Sequence, residues 1–364
     1  MPQLLDLPVE LRLLIIEYAL GCWADPPTKP SKATAKKYSD VEPHPDLGIT
    51  TGVFYTQDAP SFPTSNLLLV NHQISDETRA VLKIASTDYV LDISLHNEIE
   101  SFVTWQSVSH LTNHVSTLYT NIRLFGPVLD DPIRRPNAWG GRCGQLSFHV
   151  SFYRILMRFL SLGAVGEKLY GEEANKDGFD MEGEGKNVFI DTLVMDFQSA
   201  ERELSFPPED IHYGLWNFHN RGLNIGEIAT TMPTYKTRPE WPCMYLIEHI
   251  EQTLTRLSVS SRYGKCLYEN IGNIKMLVDG QLKFEFDLSA RLAGLVDQIG
   301  MEPLEEFRGW KEKTLLRREA HGCPTKANYS MLRLSKRDLF ANLKFANKFA
   351  GWNSWNTSAW EVPS

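Results

Sequence analysis

Residues 7–20 read LPVELRLLIIEYAL, and this stretch predicts the first helix of the chain. Pro8 suits the first turn of a helix, where its missing N–H leaves no hydrogen bond unmade. Four apolar residues recur at steps of three and four, which is the spacing of one helical face: Leu11, Leu14, Ile15 and Tyr18. Three charged residues lie off that face: Glu10, Arg12 and Glu17. Gly21 follows and ends the helix.

Beyond this helix the sequence predicts loops, helices and strands in turn. Residues 22–63 are rich in proline and lack a sustained period, which predicts a long loop. Helical spacing returns over 67–85, with Asn71 as the predicted cap. The other predicted helices are 96–108, 148–162, 245–257 and a C-terminal series over 289–349. The predicted strands are 87–93, 115–125 and 188–197, together with a hairpin over 274–288 that turns at Asp279-Gly280.

The composition narrows the class of protein. An aromatic content of 11% in 364 residues excludes a mainly disordered chain, and a net charge of −8 argues against a nucleic-acid binder. The start of the chain lacks the pattern of a secretory signal, and the apolar segments carry too many charges to cross a membrane. The five cysteines are odd in number and scattered, which favours free thiols. We therefore expect an intracellular protein of the cytoplasm or nucleus that makes no use of a membrane.

Sequence motifs of common enzymes are missing. The chain has no glycine-rich phosphate loop, no GxSxG elbow, no HExxH and no CxxC pair. His110 and His114 have a spacing that a helix could use for a metal, but no further ligand lies near them, so ordinary surface or capping roles are expected. The sequence thus predicts no catalytic, cofactor-binding or metal-binding residue and leans away from an enzyme.

Two other functions stay open. An enzyme could assemble a pocket from distant residues of the irregular region 205–242, around His212, Trp216 and His219. Alternatively, the basic C-terminal helices could bind nucleic acid or an acidic partner. In the second case the charges would come from one side of a helix: Lys336, Arg337, Lys344 and Lys348.

Two segments together resemble a known family. The sequence LPVEL at 7–11, running directly into a helix, is similar to the opening of an F-box. The sequence LLLVNHQISDETR at 67–79 resembles the second motif of the F-box-like proteins of filamentous fungi, in which a strand follows. Here the predicted strand TDYVLDI follows at 87–93.

The resemblance implies a non-catalytic adaptor for protein–protein interaction. F-box proteins dock on the small linker subunit of SCF-type ubiquitin ligases, and the rest of the chain recruits a protein substrate. The residues that would reach this partner are Leu7, Pro8, Leu11 and Ile15, unless the same apolar stripe packs on the protein's own core.

The combined prediction is an α+β protein of two parts. Residues 1–85 form an F-box-like helical segment with a long loop insertion at 22–63. Residues 86–364 form a mixed helix/antiparallel-sheet domain with a helical C-terminal region.

Overall fold

The computed structural model of the chain describes residues 4–21, 23–28, 31, 35, 52–55, 63–128, 147–164, 188–220, 231–255, 262–295 and 304–323. The helices in these residues are α1 (Val9–Leu20), α2 (Pro63–Val70), α3 (His72–Leu82), α4 (Ser147–Leu162), α5 (Tyr213–Asn220), α6 (Glu240–Thr255), α7 (Arg262–Asn270), α8 (Leu288–Gly294) and α9 (Leu304–Ala320). The strands are β1 (Gly52–Tyr55), β2 (Tyr89–His96), β3 (Glu100–Val108), β4 (His114–Phe125), β5 (Phe189–Ser199), β6 (Ile271–Val278) and β7 (Gln281–Asp287). Among the described helices, none is both long enough and apolar enough to cross a membrane.

The strands form one mixed sheet in the order β1-β3-β2-β4-β5-β6-β7. The predicted α+β class is therefore confirmed. Antiparallel pairing, which the sequence predicts for the sheet, holds for the hairpins β2–β3 and β6–β7. The central strands β2, β4, β5 and β6 run parallel. Helical connections between β4 and β5 and between β5 and β6 allow this, because a parallel pair needs a long crossover.

One face of the sheet carries the main core. Helix α4 packs there, with Phe159 against Tyr89 of β2 and Phe148 against Phe197 of β5. Buried residues of α6 and α7, such as Leu246 and Leu267, belong to the same core. The crossover helices thus cover the apolar side of the parallel strands.

The opposite face of the sheet is polar. Asp92, Asn121 and Asp196 lie side by side on β2, β4 and β5. The buried Asp92 carboxylate accepts hydrogen bonds from Arg123 at 2.5 and 2.9 Å, which supplies the charge that a buried carboxylate needs.

Several predicted elements are confirmed and others are wrong. The helix over 148–162 and the Asp279-Gly280 hairpin are confirmed. The predicted helix over 96–108 is wrong: the chain turns at Asn97-Glu98, where both residues have positive φ, and continues as β3. Strand β1 lies inside the stretch predicted as loop, and pairs with β3. The C-terminal series beyond 323 lies outside the described residues.

Candidate docking surface on the N-terminal helices

The first three helices pack into one unit although a long stretch of sequence separates α1 from α2. Ile16 and Leu20 of α1 are buried against Ile74 and Val81 of α3. Leu67 of α2 packs beside them. The two sequence segments that resemble an F-box therefore share a small apolar core of their own.

Helix α3 is fixed at its start by a side-chain cap. The Asn71 carboxamide oxygen accepts a hydrogen bond from the Ile74 amide at 2.9 Å, which confirms the predicted cap. One turn later the buried Thr78 hydroxyl donates to the Ile74 carbonyl at 2.7 Å. Both hydrogen bonds stabilise the first turns of α3, which carry the buried Ile74 and Thr78.

The apolar stripe predicted on α1 faces outward. Leu11 is 47% exposed, Ile15 is 43% exposed and Tyr18 is 76% exposed. Residues on the other side of the helix, such as Ile16, are the ones that are buried. Of the remaining predicted contact residues, Pro8 is exposed and Leu7 is half-buried.

Further apolar side chains are exposed in the first turn of α1 and in the turn before it. We define the α1 surface as the exposed apolar residues of 4–18: Leu4, Leu5, Pro8, Val9, Leu11, Leu14, Ile15 and Tyr18. Large exposed apolar patches are typical of interaction sites, and these residues are exposed along α1 and the turn before it. Three of the four predicted partner-binding residues lie on it, and Leu7 lies at its edge.

Beneath the α1 surface lies a charged pair that the sequence pattern does not predict. Arg12 points inward and donates to the Glu77 carboxylate of α3, with its Nη2 2.6 Å from Oε1. The hydrogen bond from Arg12 lowers the pKa of Glu77, and the same contact raises the pKa of Arg12. The signal in the sequence is an arginine within an otherwise apolar turn, followed by a glutamate in the second motif.

In the region 205–242, the alternative site, the structure describes the surroundings of Trp216 and His212. Trp216 is fully buried in a second core cluster beside Trp241. Its indole N–H donates to Glu98 at 2.8 Å. His212 accepts a hydrogen bond from the Gly214 amide at 3.1 Å, and burial lowers the pKa of its imidazole. The side chain of His219 lies outside the described residues.

The two histidines with metal-compatible spacing do not share a helix. His110 precedes β4, and His114 is its first residue. The His114 Nε2 lies 2.7 Å from the Asp191 carboxylate of β5, so this imidazole has a local partner. The basic residues Lys336, Arg337, Lys344 and Lys348 lie outside the described part of the chain.

Comparisons with known proteins add no relative. No protein-family model matches the chain, and neither a curated protein nor a solved structure matches it. The candidate function therefore rests on the α1 surface and on the residues that support it.

Proposed function

We propose that the chain is a non-catalytic interaction adaptor. It docks through the α1 surface on the linker subunit of an SCF-type ubiquitin ligase, and the remainder of the chain recruits a protein substrate. The observation that carries the proposal is the orientation of α1. The helix buries Ile16 and Leu20 within its own unit and leaves Leu11 and Ile15, the residues of the F-box-like pattern, in contact with solvent.

Burial of this surface by a partner groove would provide binding energy. An amphipathic helix that lays its apolar side in a groove is a common mode of recognition. Each fully buried leucine or isoleucine contributes about 1.5–3 kcal/mol by removal from water. A few such side chains at the centre of an interface carry most of its affinity.

An adaptor must also hold its docking unit in a fixed place relative to its substrate-binding part. The chain that follows α1 runs along the sheet, where the Ala24 amide donates to the Gln106 carbonyl at 2.7 Å. Arg123 donates to the Pro27 carbonyl at 3.3 Å. At the start of α2, the Thr64 hydroxyl donates to the Ser109 carbonyl at 2.6 Å. These contacts tie the segment after α1 and the start of α2 to β3, to β4 and to the residue that follows β3.

The test is binding of the purified full chain to the purified ligase linker subunit. We expect the wild type to bind and the variant Leu11→Asp/Ile15→Asp to bind about 100-fold more weakly, since two apolar contacts of about 1.5 kcal/mol each are lost. The far-ultraviolet circular dichroism of the variant should match the wild type, because both side chains are exposed.

The matched control is Ile84→Asp. Ile84 is 86% exposed after the end of α3 and is not part of the α1 surface, so this variant should bind as the wild type does. A folded wild type that fails to bind the linker subunit would contradict the proposal. Equal loss of binding in the control would show that the effect is not specific to the α1 surface.

A further inference from the structure

One arginine connects three segments of the docking unit. Arg12 lies on the inner side of α1, and its guanidinium Nε is 3.0 Å from Oε2 of Glu77 on α3. Its Nη1 points the other way and donates to the carbonyl oxygens of Leu7 and Leu5, the latter at 3.4 Å. The side chain thus ties α3 to the backbone that leads into α1.

The backbone held in this way carries part of the α1 surface. Leu4–Asp6 form a single 3₁₀ turn whose leucines are both exposed. The turn contains one backbone hydrogen bond to the following residue, from the Leu7 amide to the Leu4 carbonyl at 3.2 Å. A turn of three residues has little stability alone, because its first hydrogen bond must offset the ordering of several dihedral angles.

Only an arginine fits both sets of contacts. The planar guanidinium presents five N–H donors in fixed directions, so one edge can bind a carboxylate with two hydrogen bonds while another donor reaches a carbonyl. A lysine ammonium has a single nitrogen and could not span the Glu77 carboxylate and the two carbonyl oxygens together.

We propose that Arg12 is the positioning residue of the docking site. By binding the Leu5 and Leu7 carbonyls while anchored on Glu77, it fixes the Leu4–Asp6 turn next to α1 and so aligns Leu4, Leu5 and Pro8 with Leu11 and Ile15. This inference rests on the proposed function for the identity of the partner, whereas the hold on the turn is a property of the chain by itself.

The test compares two variants in the full chain. Arg12→Met removes every contact of the guanidinium. The exchanged pair Arg12→Glu/Glu77→Arg keeps an ion pair between α1 and α3 but places no donor near the Leu5 and Leu7 carbonyls. The control is Arg79→Met, which removes an exposed arginine of α3 that pairs with Asp76 on the surface.

Three readouts are needed: hydrogen exchange, affinity and stability. Hydrogen exchange of the Leu7 amide, measured without any partner, should become at least tenfold faster in both Arg12 variants. Affinity for the ligase linker subunit should fall about tenfold in both. The exchanged pair should retain the wild-type unfolding midpoint. If the ion pair served stability alone, a variant with that midpoint would also bind with wild-type affinity. Arg79→Met should leave all readouts unchanged.

The outcomes separate the two proposals. If the exchanged pair restores both Leu7 protection and affinity, Arg12 acts only as an ion-pair partner of Glu77 and the positioning role is overturned. If the wild type does not bind the linker subunit, the proposed function fails. The exchange rate of Leu7 then decides the positioning role alone, and wild-type protection in the exchanged pair overturns it.

Discussion

At the scale of single residues, burial in the core changes the titration of His249 on α6. It packs against α4, with its ring 4.2 Å from the ring of His149 and 5.7 Å from the ring of Tyr153. Burial disfavours the charged imidazole and lowers its pKa to about 4. The histidine therefore remains neutral in the folded protein at pH values where the unfolded chain binds a proton.

This difference predicts a loss of stability in mild acid. Between pH 6.5 and about 4 the unfolded state takes up a proton at His249 and the folded state does not. The free energy of unfolding should then fall as the pH is lowered through this range, by about 3 kcal/mol at most. Above pH 6.5 both states are neutral and the contribution is fully present.

The measurement is urea unfolding at several pH values for the wild type and for His249→Phe. Other acid-sensitive groups, including Glu77 with its lowered pKa, act on both proteins alike. The two stability curves should therefore diverge between pH 4 and pH 6.5 and run in parallel above it. Parallel curves over the whole range would contradict a lowered pKa of His249 in the folded protein.

At the scale of the elements, the close approach of β5 and β6 depends on a glycine. Gly272 lies on β6, and a Cβ there would come 2.4 Å from the Asp191 carbonyl oxygen of β5. The obstacle is backbone, so the strands would have to separate locally. We expect Gly272→Ala to lower the free energy of unfolding by about 1–3 kcal/mol.

The same substitution in α9 provides the control for this prediction. Gly309 lies within the helix, and a Cβ there meets no atom within 4 Å. Gly309→Ala should raise the free energy of unfolding by about 0.5–1 kcal/mol, since alanine favours a helix interior. Chemical denaturation of the two variants tests both signs, and a stabilised Gly272→Ala would contradict the strand-approach argument.

The elements that the sequence predicts correctly are those with local signals. Asp279-Gly280 between two apolar runs marks the β6–β7 hairpin, and Asn71 marks the start of α3. Strand β3 is missed because it is buried on both faces, which removes the alternation of a half-buried strand. Ile99, just before this strand, and Phe102 and Val103 within it then have helical spacing by coincidence.

The face of α1 is a second case that the sequence alone leaves open. Apolar residues occur on all sides of this helix, so the period does not decide which side is buried. The choice is made by tertiary contacts, namely Ile74 against Ile16 and Glu77 against Arg12. The proposed docking residues come from the F-box-like sequence pattern, whereas the Arg12–Glu77 pair became visible only with the packing of α1 on α3.

At the scale of the whole molecule, the buried apolar residues divide into separate clusters. The three N-terminal helices share a small one around Ile16 and Ile74, while the sheet and the helices over it share a much larger one. Small units with few buried apolar contacts open at a lower free energy than a large core. We therefore expect the three-helix unit to unfold locally while the sheet remains folded.

Native-state hydrogen exchange measures this directly. The reporter in the helical unit is the amide of Thr78 on α3. The reporter in the sheet is the amide of Met195 on β5, which pairs with strands on both sides. Ile16→Ala leaves a cavity in the small cluster, which costs about 2 kcal/mol or more. Exchange of Thr78 should become about 30-fold faster, because each 1.36 kcal/mol is a factor of ten, and exchange of Met195 should not change.

The reciprocal variant decides whether the two units are independent. Ile274→Val removes a methylene from the fully buried face of β6 and costs about 0.5–1.5 kcal/mol. It should accelerate exchange at Met195 and leave Thr78 as it is, because opening of the helical unit does not require the sheet to open. If each variant changed both amides by the same factor, the chain would unfold as one cooperative unit. The anchors at Gln106 and Ser109 would then join the helices to the sheet in stability as well as in position.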